Sequence, residues 1–211
     1  MSIVAPPHPE TRVVLSNISW ATFEALLAET DQRSTRFAYD RGILEIMSPS
    51  VEHEWYHRLL GRLVEAFTVE RNIPIRSTAA TTLKSQLKER GLEADESYYL
   101  TNELLVRGCT DLDLAHDPPP DLAIEVEISQ SAVDKLAIYA DLGVSEVWFY
   151  NGESLRMYMQ QSDGTYEKKT RSSLLPQLTK DIIEGFLNRR HESDETTWIR
   201  SFHDWVRMLP E

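Results

Sequence analysis

The sequence is poor in cysteine and has no long apolar run. Its 211 residues include one cysteine, Cys109, which excludes an internal disulfide framework and a zinc site built from paired cysteines. No stretch of 18 or more apolar residues occurs, so we expect no membrane span. The first ten residues have neither a basic start nor an apolar core, which argues against a secretory signal, and their prolines indicate an extended leader. These absences predict a cytoplasmic protein.

The sequence is also poor in basic residues. Lysine and arginine number 22, against 34 aspartate and glutamate residues, which gives a formal net charge of −12. Because nucleic-acid affinity normally depends on lysine and arginine, this balance disfavours a polyphosphate partner unless a local basic groove or a bound metal offsets it. Hydrophobic residues at 41% and charged residues at 27% are ordinary for a soluble globular protein, and the length suits one domain.

Hydrophobic periodicity predicts an α/β fold, with helices and β-hairpins around a mixed central sheet. The predicted elements are an extended segment at 12–15, a helix capped by Asn17 or Ser19, a hairpin at 36–47, a helix at 51–71, β-structure at 73–100, a loop at 101–120, a strand at 121–128, a helix ending at Leu142, a hairpin at 145–159, a helix at 179–190 and a helix from Trp198. Within the β-structure, Gly91 is predicted to form a turn.

Two serines are candidate N-caps for the helix that ends at Leu142. Ser129 or Ser131 could accept a hydrogen bond from its first turn, and Ser131 with Asp134 has the spacing of a capping box. These caps predict that Lys135 lies one turn inside the helix. Gly143 stands where a C-cap glycine is expected.

The tail is predicted to be an amphipathic helix. Its apolar face comprises Trp198, Phe202, Trp205 and Leu209. This face either docks on the chain's own domain or forms a homodimer contact. The sequence therefore divides into an extended leader at 1–14, a domain at 15–190 and a helical C-terminal extension at 191–211.

The predicted strand at 121–128 alternates strictly. One face comprises the apolar residues Leu122, Ile124, Val126 and Ile128, and the other comprises Asp121, Ala123, Glu125 and Glu127. Carboxylates stacked on one face repel one another, and burying them unpaired is expensive. Open water, a salt-bridge network or a divalent cation would relieve the repulsion.

A cation would give this strand a chemical role. Asp95 stands at the head of the preceding predicted strand and could share a cation with Glu125 if the two strands pair. Mg²⁺ prefers oxygen ligands, and one or two carboxylates with a substrate phosphate form a typical shell. Lys135 could then neutralise charge or orient an attacking water. The alternative is a solvated sheet edge on which the acids are incidental and Lys135 is a surface residue.

Several segments occur in the order found in a known family. They are PDLAIEVEIS at 120–129, DK at 134–135, Tyr139 and LGVSEVW at 142–148, preceded by MSPSVEH at 47–53 and GLEADESYY at 91–99. With these segments the predicted domain resembles the Uma2 (DUF820) family of restriction-endonuclease-like proteins, a group abundant in cyanobacteria.

The resemblance implies the PD-(D/E)XK nuclease fold and an endonuclease that uses Mg²⁺ or Mn²⁺ and acts on nucleic acid, in the first place DNA. It implies that Asp95 and Glu125 are metal ligands and that Lys135 replaces the lysine of the motif, whose usual position is held by Glu127. Two departures stand out: Ala94 replaces a proline, and Glu127 adds a negative charge that either supplies another ligand or spoils the site.

The second predicted helix holds further candidates. Related nucleases often draw an acidic ligand from this helix, which points to Glu52. His53 and His57 have the spacing of a metal pair, although His53 fits a substrate or supporting contact better, and an ordinary surface histidine better still. Asp121 is the remaining acid of the strand, and its position suits shaping the start of that strand.

Other features have ordinary interpretations that compete with functional ones. Trp148 and Tyr150 could stack on bases, but their apolar neighbours favour core packing. Lys168, Lys169 and Arg171 could contact phosphate or form a solvated turn. The net charge and Glu127 also leave open a second function, that of a non-catalytic nuclease fold serving as a binding or assembly module.

Overall fold

The computed structural model describes residues 10–30 and 35–210, so most of the predicted leader, residues 1–9, lies outside the described residues. The elements, in chain order, are β1 (Thr11–Ser16), α1 (Trp20–Glu29), β2 (Arg36–Asp40), β3 (Ile43–Ser48), α2 (Val51–Glu70), β4 (Arg76–Ser77), β5 (Thr82–Ser85), β6 (Arg90–Glu93), β7 (Glu96–Tyr99), α3 (Glu103–Val106), β8 (Leu122–Val126), α4 (Lys135–Leu142), β9 (Glu146–Tyr150), β10 (Leu155–Gln160), β11 (Tyr166–Lys169), α5 (Lys180–Asn188) and α6 (Glu195–Arg207). None of the helices in the described ranges is long and apolar enough to cross a membrane.

The strands form two sheets. The six-stranded sheet has the order β11-β10-β9-β8-β7-β4, in which β8 and β9 are parallel and the other pairs are antiparallel. This is the predicted mixed sheet. The five-stranded antiparallel sheet has the order β1-β3-β2-β6-β5. Its separation from the mixed sheet was not predicted.

The predicted turn at Gly91 is wrong. Gly91 lies inside β6 and pairs with Tyr39 on one side and Lys84 on the other. A Cβ at this position would come within 2.9 Å of Lys84 Cβ and 3.2 Å of the Phe23 ring. The glycine is there because α1 packs closely over the sheet, and the turn itself precedes it at residues 86–89.

The predicted N-caps of α4 are also wrong. Asp134 is the N-cap, with its carboxylate accepting from Ala137 N at 3.0 Å, so Lys135 is the first helical residue. Ser131 does not cap the helix because its hydroxyl donates to the Glu45 carboxylate at 3.0 Å. The C-cap is as predicted: Gly143 adopts a left-handed conformation with φ of 82°.

The core lies between the mixed sheet and the helices α2, α5 and α6. Trp148 and Tyr150 are fully buried in the protein interior, which confirms core packing rather than base stacking. The tail helix α6 packs on α2 and buries Trp198 and Phe202 in the same core. The tail therefore docks on its own chain, and a homodimer stays a prediction.

Candidate active site

The pairing of β7 with β8 places Asp95 beside the carboxylate strand. The strands are antiparallel with Glu96 opposite Ile124, so Asp95 lies next to the end of β8. Its Oδ2 accepts a hydrogen bond from Val126 N at 2.7 Å. The side chain is 1% exposed, and this backbone contact fixes its direction.

Glu125 is paired inside the protein. Lys135 Nζ lies 2.6 Å from Glu125 Oε2, and the Tyr139 hydroxyl donates to Oε1. Lys135 and Tyr139 are one helical turn apart on α4, so both reach the same carboxylate. Because Glu125 and Tyr139 are fully buried and Lys135 is 5% exposed, a salt bridge relieves the burial of this acid.

The two acids have opposite pKa shifts. Burial raises the pKa of Glu125 to about 7, with a further rise from Asp95 and an opposing effect of Lys135. Burial would also raise the pKa of Asp95, but His53, Lys135 and the Val126 N–H outweigh it and lower that pKa. Burial would lower the pKa of Lys135, yet Glu125 and Asp95 raise it. Two neighbouring acids of different proton affinity are typical of functional sites.

The side chains of His53 and Arg36 lie close to Asp95, and a third carboxylate, that of Glu10, lies close to His53. His53 is fully buried, and its Nε2 lies 3.2 Å from Asp95 Oδ2 and 3.8 Å from Glu10 Oε1. Neither ring nitrogen has a hydrogen bond of good geometry. Arg36 Nε is 3.9 Å from Asp95 Oδ1.

The sequence singled out His53 but gave no signal for Glu10 or Arg36. Glu10 lies in the predicted leader, where no periodicity assigns it to a site.

Comparison with known proteins identifies the family and the fold of the chain. The sequence model of Uma2, described as "Putative restriction endonuclease", matches residues 20–187. The chain belongs to the Uma2 family. A solved structure, that of "a putative nuclease belonging to DUF820 from Anabaena variabilis ATCC 29413", aligns with a TM-score of 0.50 at 13% identity, covering 72% of this chain and 90% of that chain. At this identity the likeness shows the fold. None of the curated proteins matches the chain. Membership of Uma2 indicates a nuclease.

Three of the predicted acids are held away from the pair formed by Asp95 and Glu125 in this Uma2 protein. Glu52 is exposed on α2 and accepts from the Tyr56 hydroxyl at 3.2 Å. Glu127 accepts from Arg156 Nη2 at 3.3 Å. Asp121 accepts from Leu100 N and from Asn102, so its carboxylate holds the turn that follows β7.

The two histidines of α2 do not share partners. His57 bonds Glu54 at 2.7 Å and Glu96 at 3.3 Å, whereas His53 faces Asp95 and Glu10. Burial would lower the pKa of His57, but Glu54 and Glu96 raise it to about 9. A histidine that is protonated near neutral pH is a poor metal ligand. The spacing of these residues therefore reflects two separate polar clusters.

The site offers few oxygen donors for a divalent cation. Within residues 10–30 and 35–210, no three His, Cys, Asp or Glu side chains are grouped closely enough to hold a metal ion as they stand. Asp95 Oδ1 is buried and makes no hydrogen bond. Mg²⁺ commonly uses one or two carboxylates and keeps several waters. Asp95 and Glu125 fit this smaller shell.

Proposed function

We propose that this Uma2 protein is a divalent-metal-dependent endonuclease that hydrolyses phosphodiester bonds of DNA. The observation that supports it best is the assembly of Asp95, Glu125 and Lys135 in one buried cluster, with one Asp95 oxygen left without a hydrogen bond. Charges of this kind are rarely buried together without a function, because desolvating them is expensive.

Each side chain has a distinct role in the proposed reaction. Asp95 and Glu125 hold Mg²⁺ or Mn²⁺, which supplies Lewis-acid activation of the phosphoryl group and of water when bound. The Val126 N–H fixes Asp95, and the Tyr139 hydroxyl fixes Glu125. Lys135 holds a positive charge beside Glu125, where it orients the attacking water and balances charge that develops on the phosphate.

A groove beside Lys135 supports a nucleic-acid substrate. A cavity of about 660 Å³ is lined in part by Lys135, Glu127, Phe149, Arg156 and Lys168. The Arg156 guanidinium lies 5.6 Å from the Phe149 ring centroid, and Lys168 is exposed. Arginine and lysine next to an aromatic ring suit a phosphodiester strand. A local groove of this kind offsets the unfavourable net charge.

Neutralising Glu127 is expected to strengthen DNA binding. Glu127→Gln removes the carboxylate that engages Arg156, so the guanidinium becomes free for a phosphate. One added phosphate contact makes the slope of log K against log salt steeper by about 0.9. Fluorescence anisotropy with a DNA duplex in EDTA, at several salt concentrations, measures both effects.

The matched control is Glu192→Gln, which removes the same charge from an exposed position after α5. Equal gains in affinity from the two variants would mean that only the total charge matters. In the Glu127→Gln background, Arg156→Ala should remove the added contact and return both the affinity and the slope towards the wild-type values.

The proposed activity is tested by metal removal. The full chain incubated with supercoiled plasmid is expected to nick or linearise it in Mg²⁺ or Mn²⁺, and EDTA is expected to stop the reaction. Gel electrophoresis of the products gives the result. Absence of cleavage with either metal would overturn the proposal, and cleavage confined to RNA would overturn its choice of substrate.

One observation favours a second function, that of a non-catalytic binding or assembly module. Both oxygens of Glu125 already accept hydrogen bonds, from Lys135 and Tyr139, and these groups are almost completely buried. A site that is structural in this way would take up no divalent metal. Isothermal titration with Mn²⁺ separates the two functions.

A further inference from the structure

Glu10 contributes a third carboxylate to the surroundings of Asp95, from outside the part of the chain that matches the family. The family match begins at residue 20, whereas Glu10 directly precedes β1. Its side chain is only 1% exposed. One oxygen, Oε2, accepts from Ser129 N at 3.0 Å, from Arg12 Nη2 at 3.2 Å and from the Ser129 hydroxyl. These contacts hold the carboxylate in a fixed direction.

The other oxygen of Glu10 makes no hydrogen bond. Oε1 is buried and lies 3.8 Å from His53 Nε2. The same His53 nitrogen lies 3.2 Å from the Asp95 carboxylate. Glu10 and Asp95 are therefore close neighbours around one imidazole.

The two carboxylates are held in the same way. Asp95 has one oxygen bonded to Val126 N and the other without a hydrogen bond, and Glu10 has one oxygen bonded to Ser129 N and the other without a hydrogen bond. Val126 is the last residue of β8, and Ser129 lies three residues after it. A buried carboxylate oxygen that lacks a partner is costly, and a hard cation is a partner that prefers such oxygens.

We propose that Glu10 is a third carboxylate ligand of the divalent cation held by Asp95 and Glu125, an inference that rests on the proposed function. The described side chains hold no ready group of three ligands, so binding of the cation would require Glu10 Oε1 and Asp95 Oδ1 to move closer to each other. Each carboxylate can turn about its bonded oxygen, because the other oxygen has no hydrogen bond to break. Arg12, which also bonds Glu45 and Ser129 O, keeps the Glu10 backbone in place.

Isothermal titration of the metal-free full chain with Mn²⁺ tests this role without any cleavage assay. Glu10→Gln is expected to weaken Mn²⁺ binding by about tenfold or more, while the amide oxygen still accepts from Ser129. Asp95→Asn should weaken it at least as much. The control Glu52→Gln changes an exposed acid of α2 and should leave the affinity unchanged.

The outcomes separate the inference from the proposed function. If Asp95→Asn weakens Mn²⁺ binding and Glu10→Gln does not, Glu10 is not a ligand and the proposed cation site stands. If the wild-type chain binds no Mn²⁺, both fail.

A purely structural role for Glu10 is tested by thermal melting without metal. Glu10→Gln should melt within a few degrees of the wild type, whereas its stabilisation by added Mn²⁺ should be smaller. Ser129→Ala, which keeps the carboxylate but removes one of its anchors, should weaken Mn²⁺ binding less than Glu10→Gln. A large drop in the metal-free melting temperature with unchanged Mn²⁺ affinity would overturn the inference.

Discussion

Replacing Asp95 with asparagine is expected to reduce metal-dependent DNA cleavage by about a thousandfold or more. Asparagine has the same shape and its amide oxygen still accepts from Val126 N, so the variant changes the charge and little else. The lost charge is one that His53, Lys135 and the backbone stabilise in the native protein. A bound metal supplies several kcal/mol of transition-state stabilisation, and each 1.4 kcal/mol is about tenfold in rate.

Single-turnover cleavage of a labelled duplex, with enzyme in excess, measures this effect without a contribution from product release. Circular dichroism and thermal melting should show a folded variant. Glu52→Gln provides the control because Glu52 is an acid of α2 that faces solvent. Asp95→Asn protein that cleaves at the wild-type rate would remove Asp95 from the mechanism.

The part of the site that sequence predicts well is the part that follows local periodicity. The alternation of residues 122–126 places Glu125 on β8, but it leaves open whether the carboxylate faces water or is buried, as it is in the structure. A site shared by Asp95 and Glu125 requires this strand to pair with the one that follows Asp95, and the two strands do pair in the sheet. Both features need only the period of a strand and the neighbour relation of successive strands. The catalytic roles of Asp95, Glu125 and Lys135 remain predictions.

The part that sequence predicts poorly depends on contacts between distant positions. Ser131 looks like a helix cap by its spacing, but Glu45 binds it from 86 residues away. A glycine at position 91 suggests a turn, but the residue lies inside a strand, where a Cβ would come too close to Phe23 and Lys84. Local rules fail where a tertiary contact offers a stronger interaction than the local one.

Glu10 illustrates the same limit at the candidate site. It is brought to His53 by the pairing of β1 with β3 and by Ser129, which is 119 residues away in sequence. Glu52 has the more suggestive position, in the helix that also carries His53, yet its side chain faces solvent. Helical spacing puts Glu52 and His53 about 100° apart, so only one of them can face the sheet.

Replacing Lys135 with methionine is expected to give the largest loss of stability. Methionine fills a similar volume but leaves Glu125 buried with only the Tyr139 hydroxyl as its partner. Removing one member of a buried ion pair typically costs about 3–5 kcal/mol, because the remaining charge is uncompensated. Urea unfolding followed by circular dichroism measures the free energy of unfolding. The control is Lys180→Met, which breaks a more exposed helical pair with Glu184 and should cost below about 1 kcal/mol.

The loss of stability in Lys135→Met should depend on pH, because Glu125 becomes neutral when it takes up a proton and a neutral carboxyl group is less costly to bury. Its pKa in the folded protein is about 7 and its ordinary value is 4.5, so the native state binds the extra proton between these values. Protonated Glu125 therefore contributes to the free energy of unfolding, fully below pH 4.5, and this contribution is lost as the pH rises through 7. Without Lys135 the folded pKa rises further, which extends the loss to higher pH. The variant should therefore fall further below the wild type at pH 8 than at pH 5.

A second substitution separates charge from packing. In the double variant Lys135→Met with Glu125→Gln, the Glu125 charge is removed together with its partner, so much of the stability should return at pH 8 and the added pH dependence should disappear. An equal loss for Lys135→Met at both pH values, without recovery in the double variant, would mean that Lys135 stabilises the fold through its aliphatic chain alone. In that case the Lys135 ammonium would not pair with Glu125 in solution, and the proposed cation site would lack a positive charge held at Glu125.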